Sequence, residues 1–133
     1  MRRTLLITIV GVATVSFRDA LTKNWADIES GATDSALRPI LRSETPEHAV
    51  SVAVDRISRL PRWKVESADP KNGTIHATRT TRLWRFVDDI HLRFEPTPQG
   101  CRITAHSQSR VGKGDLGQNA RNLKELARAL RRP

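Results

Sequence analysis

The chain shows helical periodicity immediately after Thr45. Apolar residues recur there three and four positions apart, which is the spacing of one face of an α-helix. Thr45 can cap such a helix, Pro46 suits its first position, and Pro61 ends it because proline lacks a backbone N–H donor. The pattern therefore predicts a core-facing helix whose apolar positions are Ala49, Val50, Ala53, Val54, Ile57 and Leu60.

Downstream of this helix, apolar and polar residues alternate, which is typical of strands with one buried face. The alternation changes phase near Arg82-Leu83, and a bulge there would bring both sets of apolar side chains to one face. Asn72-Gly73 favours a hairpin turn, and Asp88-Asp89 is interpreted as a short turn. The pattern predicts four strands, which contain Trp63 to Glu66, Thr74 to Phe86, Ile90 to Glu95 and Cys101 to His106.

A second helical period follows near the end of the chain. Between Leu116 and Arg131, apolar residues occupy one face and basic residues the other. Because the links between successive elements are short, the economical architecture is an α+β domain over residues 46–133. We predict a four-stranded antiparallel sheet with an N-terminal and a C-terminal helix packed on one face.

The first 17 residues have the layout of a secretory or anchoring segment. Arg2 and Arg3 precede an uncharged, largely apolar run from Thr4 to Phe17, and this order is typical of export signals. A first buried strand is the alternative, since Val, Ile and Thr favour strands. We interpret residues 1–17 as a signal-like or membrane-anchor segment and residues 18–45 as a tether or irregular segment. The expected location is the cell envelope, either periplasmic or anchored to the inner membrane.

Composition narrows the class of protein. A chain of 133 residues with one cysteine and no long apolar span is neither a disulfide scaffold nor a multi-pass membrane protein. The formal net charge is +9, of which 17 basic and 9 acidic residues from Glu47 onward contribute +8. Such a surface can attract anionic lipid, an acidic envelope protein or nucleic acid. Nucleic acid is disfavoured because Trp63, Trp84, Phe86 and Phe94 lie in predicted strands, where core burial is the simpler use.

The last helix ends in a basic cluster. Arg121, Lys124, Arg128, Arg131 and Arg132 face only Glu125. A solvated helix end whose cations complement the helix dipole is the favoured interpretation. We therefore expect Arg131→Ala and Arg132→Ala to be nearly silent, whereas Arg110→Ala should destabilise or disable the domain.

The segment between the fourth strand and the last helix has the composition of an anion-binding loop. Gly112 and Gly114 flank Lys113 just before a helix start, so backbone N–H groups could surround an anion there. The alternative is a tight strand-to-helix turn in which Asp115 caps the helix and the glycines allow positive φ. The two interpretations are compatible, and both stay open.

Several short motifs occur in the order found in a known family. They are Leu60-Pro-Arg-Trp63, Thr80-Thr81 leading to Phe86-Val-Asp-Asp89, and Ser107-x-Ser-Arg-Val-Gly112 followed by Asp115-Leu-Gly117 and Asn119. With these motifs, the stretch from Thr45 to Leu130 resembles the family called domain of unknown function 1499. The resemblance implies a small bacterial exported or membrane-attached protein, in a family with no established biochemical activity. Many members carry an Asn-Cys segment where this chain has Lys23-Asn-Trp-Ala-Asp27, so no role for that thiol is carried over.

The polar residues around these motifs form the candidate site. Asp88 and Asp89 could act as a metal or acid–base pair, but adjacent residues in a strand point to opposite faces. Carboxylates paired with arginines are therefore the favoured interpretation. The cluster is expected to bind an anion or other ligand, or to be structural, without a metal. It contains Arg79, Asp88, Asp89, Ser107, Ser109, Arg110, Gly112, Lys113, Gly114, Asp115 and Asn119.

Three histidines lie in predicted strands, at positions opposite in parity to the apolar residues. His76, His91 and His106 are therefore expected on the polar face of the sheet. A metal site across neighbouring strands is one use of such residues, and plain surface is the more common one. Cys101 occupies an apolar position of the fourth strand, so we expect its thiol to be buried.

Two classes of function follow from these observations. The favoured one is a non-enzymatic binding or structural module whose basic surface and Arg110 contact an anionic lipid, a small anion or an acidic partner protein. The alternative is a hydrolase-like enzyme that acts on a phosphorylated or lipid-like substrate. Against that alternative, no nucleophile and base occur at a useful spacing, and no cofactor is predicted. Its candidate acids and bases are Asp88, Asp89, His106 and Asp115.

Overall fold

The fold is an antiparallel sheet of six strands with two helices packed on one face. A computed structural model describes residues 23–83, 85–111 and 117–133. The helices are α1 (Pro46–Ser58) and α2 (Gln118–Arg131), and a short 3₁₀ turn spans Ser35–Leu37. The strands are β1 (Trp25–Ile28), β2 (Ile40–Arg42), β3 (Trp63–Asp69), β4 (Thr74–Thr80), β5 (Val87–Thr97) and β6 (Gly100–Ser109).

The two longest strands, β5 and β6, are adjacent in the sheet. Its order is β1-β6-β5-β4-β3, and β2 also pairs with β6. Because β6 is ten residues long, β1 pairs with its second half, from Ala105 to Gln108, and β2 pairs with its first half, from Cys101 to Ile103. The two short strands therefore lie one after the other along the same edge of β6.

The predicted sheet was too small, and the predicted first helix is not the N-terminal element. The four strands downstream of α1 form and pair in sequence order. Two further strands, β1 and β2, come from residues 25–42, a stretch that we interpreted as tether or irregular chain. These strands have four and three residues, too few to display a period in the sequence. These strands form only because they pair with the edge of β6, which lies more than 50 residues away in the sequence.

The region between β4 and β5 also differs from the prediction. β4 ends at Thr80, and a loop, described at residues 81–83 and 85–86, replaces the predicted bulge near Arg82-Leu83. The loop is closed by the N–H of Thr81, which donates to the carbonyl of Phe86 at 2.7 Å. β5 then starts at Val87, so Asp88 and Asp89 lie in a strand and not in a turn. The change of phase in the apolar–polar alternation therefore corresponds to a loop between two strands and not to a bulge within one.

The core lies between the sheet and the two helices. Alternation along the strands buries one face, and Cys101 lies there as expected, with 1% of its surface exposed. Burial raises the pKa of the Cys101 thiol. Each large aliphatic side chain buried in this layer stabilises the fold by roughly 1.5–3 kcal/mol. The most deeply buried include Val50, Ile57, Ile75, Ile90, Leu92, Ile103, Leu123 and Leu126.

Three arginines bind backbone carbonyls around the C-terminal end of α2. Arg42 of β2 donates to the carbonyls of Leu130 and Arg132 at 3.1 and 2.6 Å. Arg56 of α1 donates to Ala129 at 3.1 Å, which satisfies a carbonyl that the helix leaves without a partner. Arg131 donates to the carbonyls of Ala36 and Arg38. The structure therefore does not support the expectation that Arg131→Ala is silent.

Candidate functional site

Asp88 and Asp89 project to opposite faces of the sheet, as strand geometry requires. Asp88 lies on the helix-covered face and is 1% exposed. Asp89 lies on the other face, which neither α1 nor α2 covers and which we call the open face. The sheet therefore separates the described members of the predicted polar cluster onto its two faces.

The residues on the helix-covered face form a buried hydrogen-bonded network. Asn122 of α2 donates to Asp88 at 2.7 Å, and Ser107 donates to Asn119 at 2.6 Å. Asn119 in turn donates to Ser109 and to the carbonyl of Asn24, each at 2.8 Å. These hydrogen bonds join side chains of α2 to β5, to β6 and to the backbone of Asn24. The network therefore fixes the first turns of α2 on the sheet. Its role is structural.

Asn122 was missed by the sequence analysis, although a signal exists. It lies next to Leu123 on the buried side of α2, and it is itself only 1% exposed. A buried asparagine in a helix needs partners because an unpaired polar group costs about 1–3 kcal/mol. Its amide N–H group donates to Asp88 of β5 at 2.7 Å and lies 3.5 Å from the hydroxyl of Ser107 on β6.

On the open face, Asp89 is the centre of a charged cluster. Arg110 donates to its carboxylate through Nε at 2.7 Å and through Nη2 at 2.9 Å. His76 Nε2 lies 2.8 Å from the same carboxylate. The hydrogen bonds from Arg110, followed by the one from His76, lower the pKa of Asp89 to about 2 although burial opposes them. Arg110 is thus a half-exposed partner of Asp89, as the arginine-paired interpretation expected.

Arg79 occupies a third place, beside α2. Its Nε donates to Glu125 at 3.1 Å, and the indole N–H of Trp63 donates to the same carboxylate oxygen. Glu125 thereby joins the start of β3 and the end of β4 to the helix. Gly117 holds the N-cap position of α2 with a φ of 82°, so the predicted cap Asp115 does not occupy it. The other predicted loop residues, Gly112, Lys113 and Gly114, lie with Asp115 outside the described residues.

The register of the strands lines up the three strand histidines on the open face, as predicted. His76 is opposite His91, His91 is opposite His106, and His106 is opposite Asp27. The rings of His76 and His91 stack with centroids 4.5 Å apart and planes 7° from parallel. The described residues contain no group of three or more ligating side chains suited to a metal ion. Burial and the neighbouring His76 lower the pKa of His91.

The hydrolase alternative finds no support in this geometry. His106 Nδ1 lies 2.6 Å from Asp27, which resembles the base and orienting carboxylate of a triad. The other ring nitrogen of His106, however, lies against Gln108. Ser107 and Ser109 project to the opposite face and bind Asn119. Within the described ranges, then, neither serine reaches the histidine.

The open face also forms a broad groove of about 910 Å³. It runs over β1, β4, β5 and β6, and its walls carry hydroxyl, imidazole and guanidinium groups. Two arginines on its walls, Arg93 and Arg102, were not among the predicted site residues. In the sequence, Arg93 and Arg102 alternate with the apolar residues of their strands, which indicates that they face away from the core. The polar residues lining the groove include Ser30, Thr74, His76, His91, Arg93, Arg102, Thr104 and His106.

A second surface feature lies at one end of the sheet. Five large hydrophobic side chains are exposed in the described part of the chain, and four of them lie at the end where β1 begins and β6 finishes. The four are Trp25, Leu83, Phe86 and Val111, which are 41, 81, 46 and 62% exposed. The fifth, Leu41, lies on β2 at the opposite end and is 73% exposed.

We call this surface the loop end. Backbone hydrogen bonds bring its parts together: the N–H of Arg110 donates to Val87 at 3.1 Å, and the N–H of Ser109 donates to Asn24 at 2.9 Å. Phe86 was expected in the core, and it is instead part of this exposed surface because β4 ends before it. Trp84 lies outside the described residues. The loop end consists of Lys23, Trp25, Arg82, Leu83, Arg85, Phe86, Arg110 and Val111.

Sequence comparison decides the family. The profile of the family described as "Protein of unknown function (DUF1499)" matches residues 13–130. The chain belongs to the DUF1499 family. This match extends beyond the motifs in the described strands, and it includes the end of the apolar run at the amino terminus. The match does not identify an activity, because the family is described as one of unknown function.

Structure comparison finds a chain similar to this DUF1499 protein. It is the X-ray crystal structure of protein CV1439 from Chromobacterium violaceum, with a TM-score of 0.42 and 13% sequence identity. The match covers 83% of this chain and 99% of that chain. No curated protein matches the sequence. Among the described residues of the DUF1499 chain, no helix is long and apolar enough to cross a membrane.

Proposed function

We propose that this DUF1499 protein is a non-enzymatic binding module of the cell envelope whose loop end rests on an anionic lipid membrane. One observation carries the proposal: four of the five exposed large hydrophobic side chains in the described residues lie together at the end where the chain enters the fold. Soluble surfaces usually scatter such side chains singly, and grouped ones mark interaction sites.

The chemistry of the loop end suits the interfacial region of a membrane. Trp25 is an amphipathic ring of the kind that is enriched at membrane interfaces. Leu83 and Phe86 project from the 81–86 loop, and Val111 projects from the end of β6 beside them. Apolar side chains of this size enter the boundary between headgroups and acyl chains without requiring a membrane-spanning helix.

The charges of the loop end favour anionic lipid. Arg82 and Arg85 flank Leu83 in the loop, and neither guanidinium forms an ion pair or hydrogen bond with another described residue. Lys23 Nζ lies 3.7 Å from the centroid of the Trp25 ring, at the same end. A basic residue close to an anionic membrane surface contributes about 1 kcal/mol of attraction. Hydrophobic and basic contacts together supply the two signals that stable membrane attachment needs.

The described chain begins at this same end. Its first residue is Lys23, next to Asn24, whose carbonyl accepts from β6. Residues 4–17, which we interpret as a signal-like or anchor segment, are separated from Lys23 by five residues. Five residues span at most about 18 Å when extended. An anchor in residues 4–17 would therefore hold the loop end, and not the opposite end, close to the bilayer.

The proposal is tested with an environment-sensitive dye on single cysteines. Cys101 is buried, so Phe86→Cys and Leu41→Cys each add one accessible thiol to the full-length chain. On vesicles that contain anionic lipid, we expect the dye at residue 86 to report an apolar environment and the dye at residue 41 to report water. Vesicles of zwitterionic lipid should give a weaker response at residue 86.

Charge variants provide the matched control. Arg82→Gln with Arg85→Asn removes two charges from the loop end, and Asn suits the positive φ of 53° at residue 85. Arg128→Gln with Arg132→Gln removes two charges elsewhere on the basic surface. Only the first pair should reduce the response at residue 86 on anionic vesicles. Equal responses at residues 86 and 41 in the parent chain would overturn the proposal.

A further inference from the structure

We propose that the groove on the open face is a binding site for a small hydrophilic molecule carrying an oxyanion group, such as a phosphate or sulfate. This site adjoins the loop end, where the Trp25 ring lies 5.9 Å from that of His106, but its two arginines lie further along the open face and do not depend on membrane contact. Arg93 and Arg102 would hold the oxyanion, and the histidine row would contribute charge when it is protonated. The groove volume of about 910 Å³ suits a small ligand.

The register places the two arginines close together on the same face. Arg93 of β5 is opposite Thr104 of β6 and Thr74 of β4. Arg102 follows on β6, two residues before Thr104, and its position is opposite Glu95. Side chains two residues apart in a strand project from the same face. The arginines and the two threonine hydroxyls therefore surround one part of the groove.

Arg102 carries the most specific signal. Its Nη2 donates to the hydroxyl of Ser30, which tethers the guanidinium at the groove wall. Its Nε is buried and has no hydrogen-bond partner among the described residues. A buried donor without an acceptor is costly and is rare in folded proteins. An oxyanion in the groove would supply the missing acceptor, in the charge-assisted geometry that guanidinium groups favour.

Two of the four carboxylates around the groove have side-chain partners. Asp27 is bound by His106, and Asp89 is bound by His76 and Arg110. Glu95 is exposed and forms no ion pair with Arg102 although the two are cross-strand neighbours. Arg93 forms no ion pair or side-chain hydrogen bond within the described residues. Both guanidinium groups therefore stay without an ion-pair partner in the described part of the chain, and Glu29 on the groove wall and Glu95 are the carboxylates that an anion would have to avoid.

His91 connects this site to pH. It lies between the stacked ring of His76 on β4 and the ring of His106 on β6, with Asp89 and Arg93 as its same-face neighbours on β5. Across the row, Asp27 of β1 binds His106. A bound anion would favour the protonated form of His91, so anion affinity should rise as the pH falls.

The ligand class follows from the lining. The side chains that project into the groove are hydroxyl, imidazole, guanidinium and carboxylate groups, and large apolar side chains stay beneath the strands in the core. Such side chains offer hydrogen bonds to the hydroxyl groups of a ligand. A sugar phosphate or a similar hydroxylated oxyanion matches both the polar walls and the two arginines.

The test uses sulfate as the probe, because its charge does not change between about pH 5.5 and pH 7.5. Binding is measured by NMR titration of the full-length protein in detergent micelles. We expect saturable shifts in β5 and β6, an affinity at least about tenfold lower in Arg93→Gln, and no change in Arg128→Gln. Arg93 is exposed, so its variant folds even if Arg102→Gln does not.

Two results would overturn the inference. The first is the absence of saturable sulfate shifts on β5 and β6, and the second is equal sulfate affinity in the parent chain and in Arg93→Gln. The pH arm tests the histidine row separately from the proposed membrane contact. Affinity should increase as the pH falls, and His91→Asn should reduce that increase; an unchanged pH response in His91→Asn would remove His91 from the site.

Discussion

The two ends of the sheet use arginine in opposite ways. Around the C-terminal end of α2, Arg42 and Arg131 are bound to backbone carbonyls, so their charges hold the fold together. At the loop end, Arg110 binds Asp89, whereas Arg82 and Arg85 have no partners among the described residues and flank exposed apolar side chains. The same residue type thus stabilises the fold at one end and stays available for a partner at the other. Net charge alone could not distinguish these two uses.

The loop end is nevertheless held firmly from beneath. The buried amides and hydroxyls of Asn119, Asn122 and Ser107 attach the start of α2 to the strands that carry the exposed residues. A surface that contacts a membrane needs such support, because contact residues on a mobile scaffold would lose binding energy to ordering. The two ends therefore differ in their exposed side chains, and both have a firmly held backbone.

The largest expected effect comes from breaking this buried support. Asn119→Ala removes bonds to Ser107, Ser109 and Asn24 and leaves their polar groups unpaired. We expect the free energy of unfolding to fall by about 3 kcal/mol. Urea denaturation of the full-length protein in micelles measures the change. A loss below about 1 kcal/mol would contradict the structural role of the network.

The next effect concerns the opposite end. Arg42→Ala removes two hydrogen bonds to the carbonyls near the end of α2 and the ion pair with Glu44. We expect a loss of about 2 kcal/mol in the free energy of unfolding, because the side chain is largely buried. The matched control is Arg85→Asn at the loop end, which should change stability by less than about 0.5 kcal/mol. Similar losses in both variants would remove the distinction between the ends.

Acidification should weaken the fold through carboxylates whose pKa values are low. Hydrogen bonds from Arg110 lower the pKa of Asp89 to about 2, and hydrogen bonds from Arg42 do the same for Glu44. A lowered pKa in the folded state contributes stability above the unfolded pKa of roughly 4, and this contribution disappears as the pH falls towards 2. Each carboxylate should contribute about 1–2 kcal/mol at neutral pH.

The pH effect is measured by urea denaturation of Asp89→Asn at neutral and acidic pH. This variant should be less stable than the parent at neutral pH and should lose less stability on acidification. Asp55→Asn, which removes an exposed carboxylate paired with Arg59 on α1, is the control. An unchanged dependence of stability on pH in Asp89→Asn would show that Asp89 does not carry the effect.

The smallest effect on stability belongs to the charges of the loop end. Arg82→Gln with Arg85→Asn should leave the free energy of unfolding within about 0.5 kcal/mol of the parent value. The same double variant should reduce the membrane response at residue 86. The loop-end arginines would then affect membrane contact without affecting stability, whereas Arg42 affects stability.

Much of the central fold was predictable because its signals are local. The α1 helix has a cap at Thr45 and a proline at its first position, and the hairpin between β3 and β4 contains Asn72-Gly73. β1 and β2 were not predictable, because strands of four and three residues depend on the edge that β6 offers. The loop over residues 81–86 was misinterpreted because its apolar residues resemble a continued strand.

The candidate site was predictable in part. Strand parity placed the histidines on the polar face, since this follows from a period of two, whereas Asp88 and Asp89 were interpreted as a turn and lie in β5 on opposite faces. The partners were not predictable, because contacts such as Asn122 with Asp88 and Glu125 with Arg79 join residues far apart in the chain. The exposure of Phe86 depends on where β4 ends, which is again set by tertiary contacts.

The most direct test of the loop end as a membrane surface is the depth of residue 86 in a bilayer. A spin label on Phe86→Cys and another on Leu41→Cys are compared on vesicles with anionic lipid, using oxygen and a water-soluble nickel chelate as relaxing agents. We predict that residue 86 is accessible to oxygen and shielded from the chelate, whereas residue 41 is exposed to the chelate. Free access of the chelate to both labels would contradict the account.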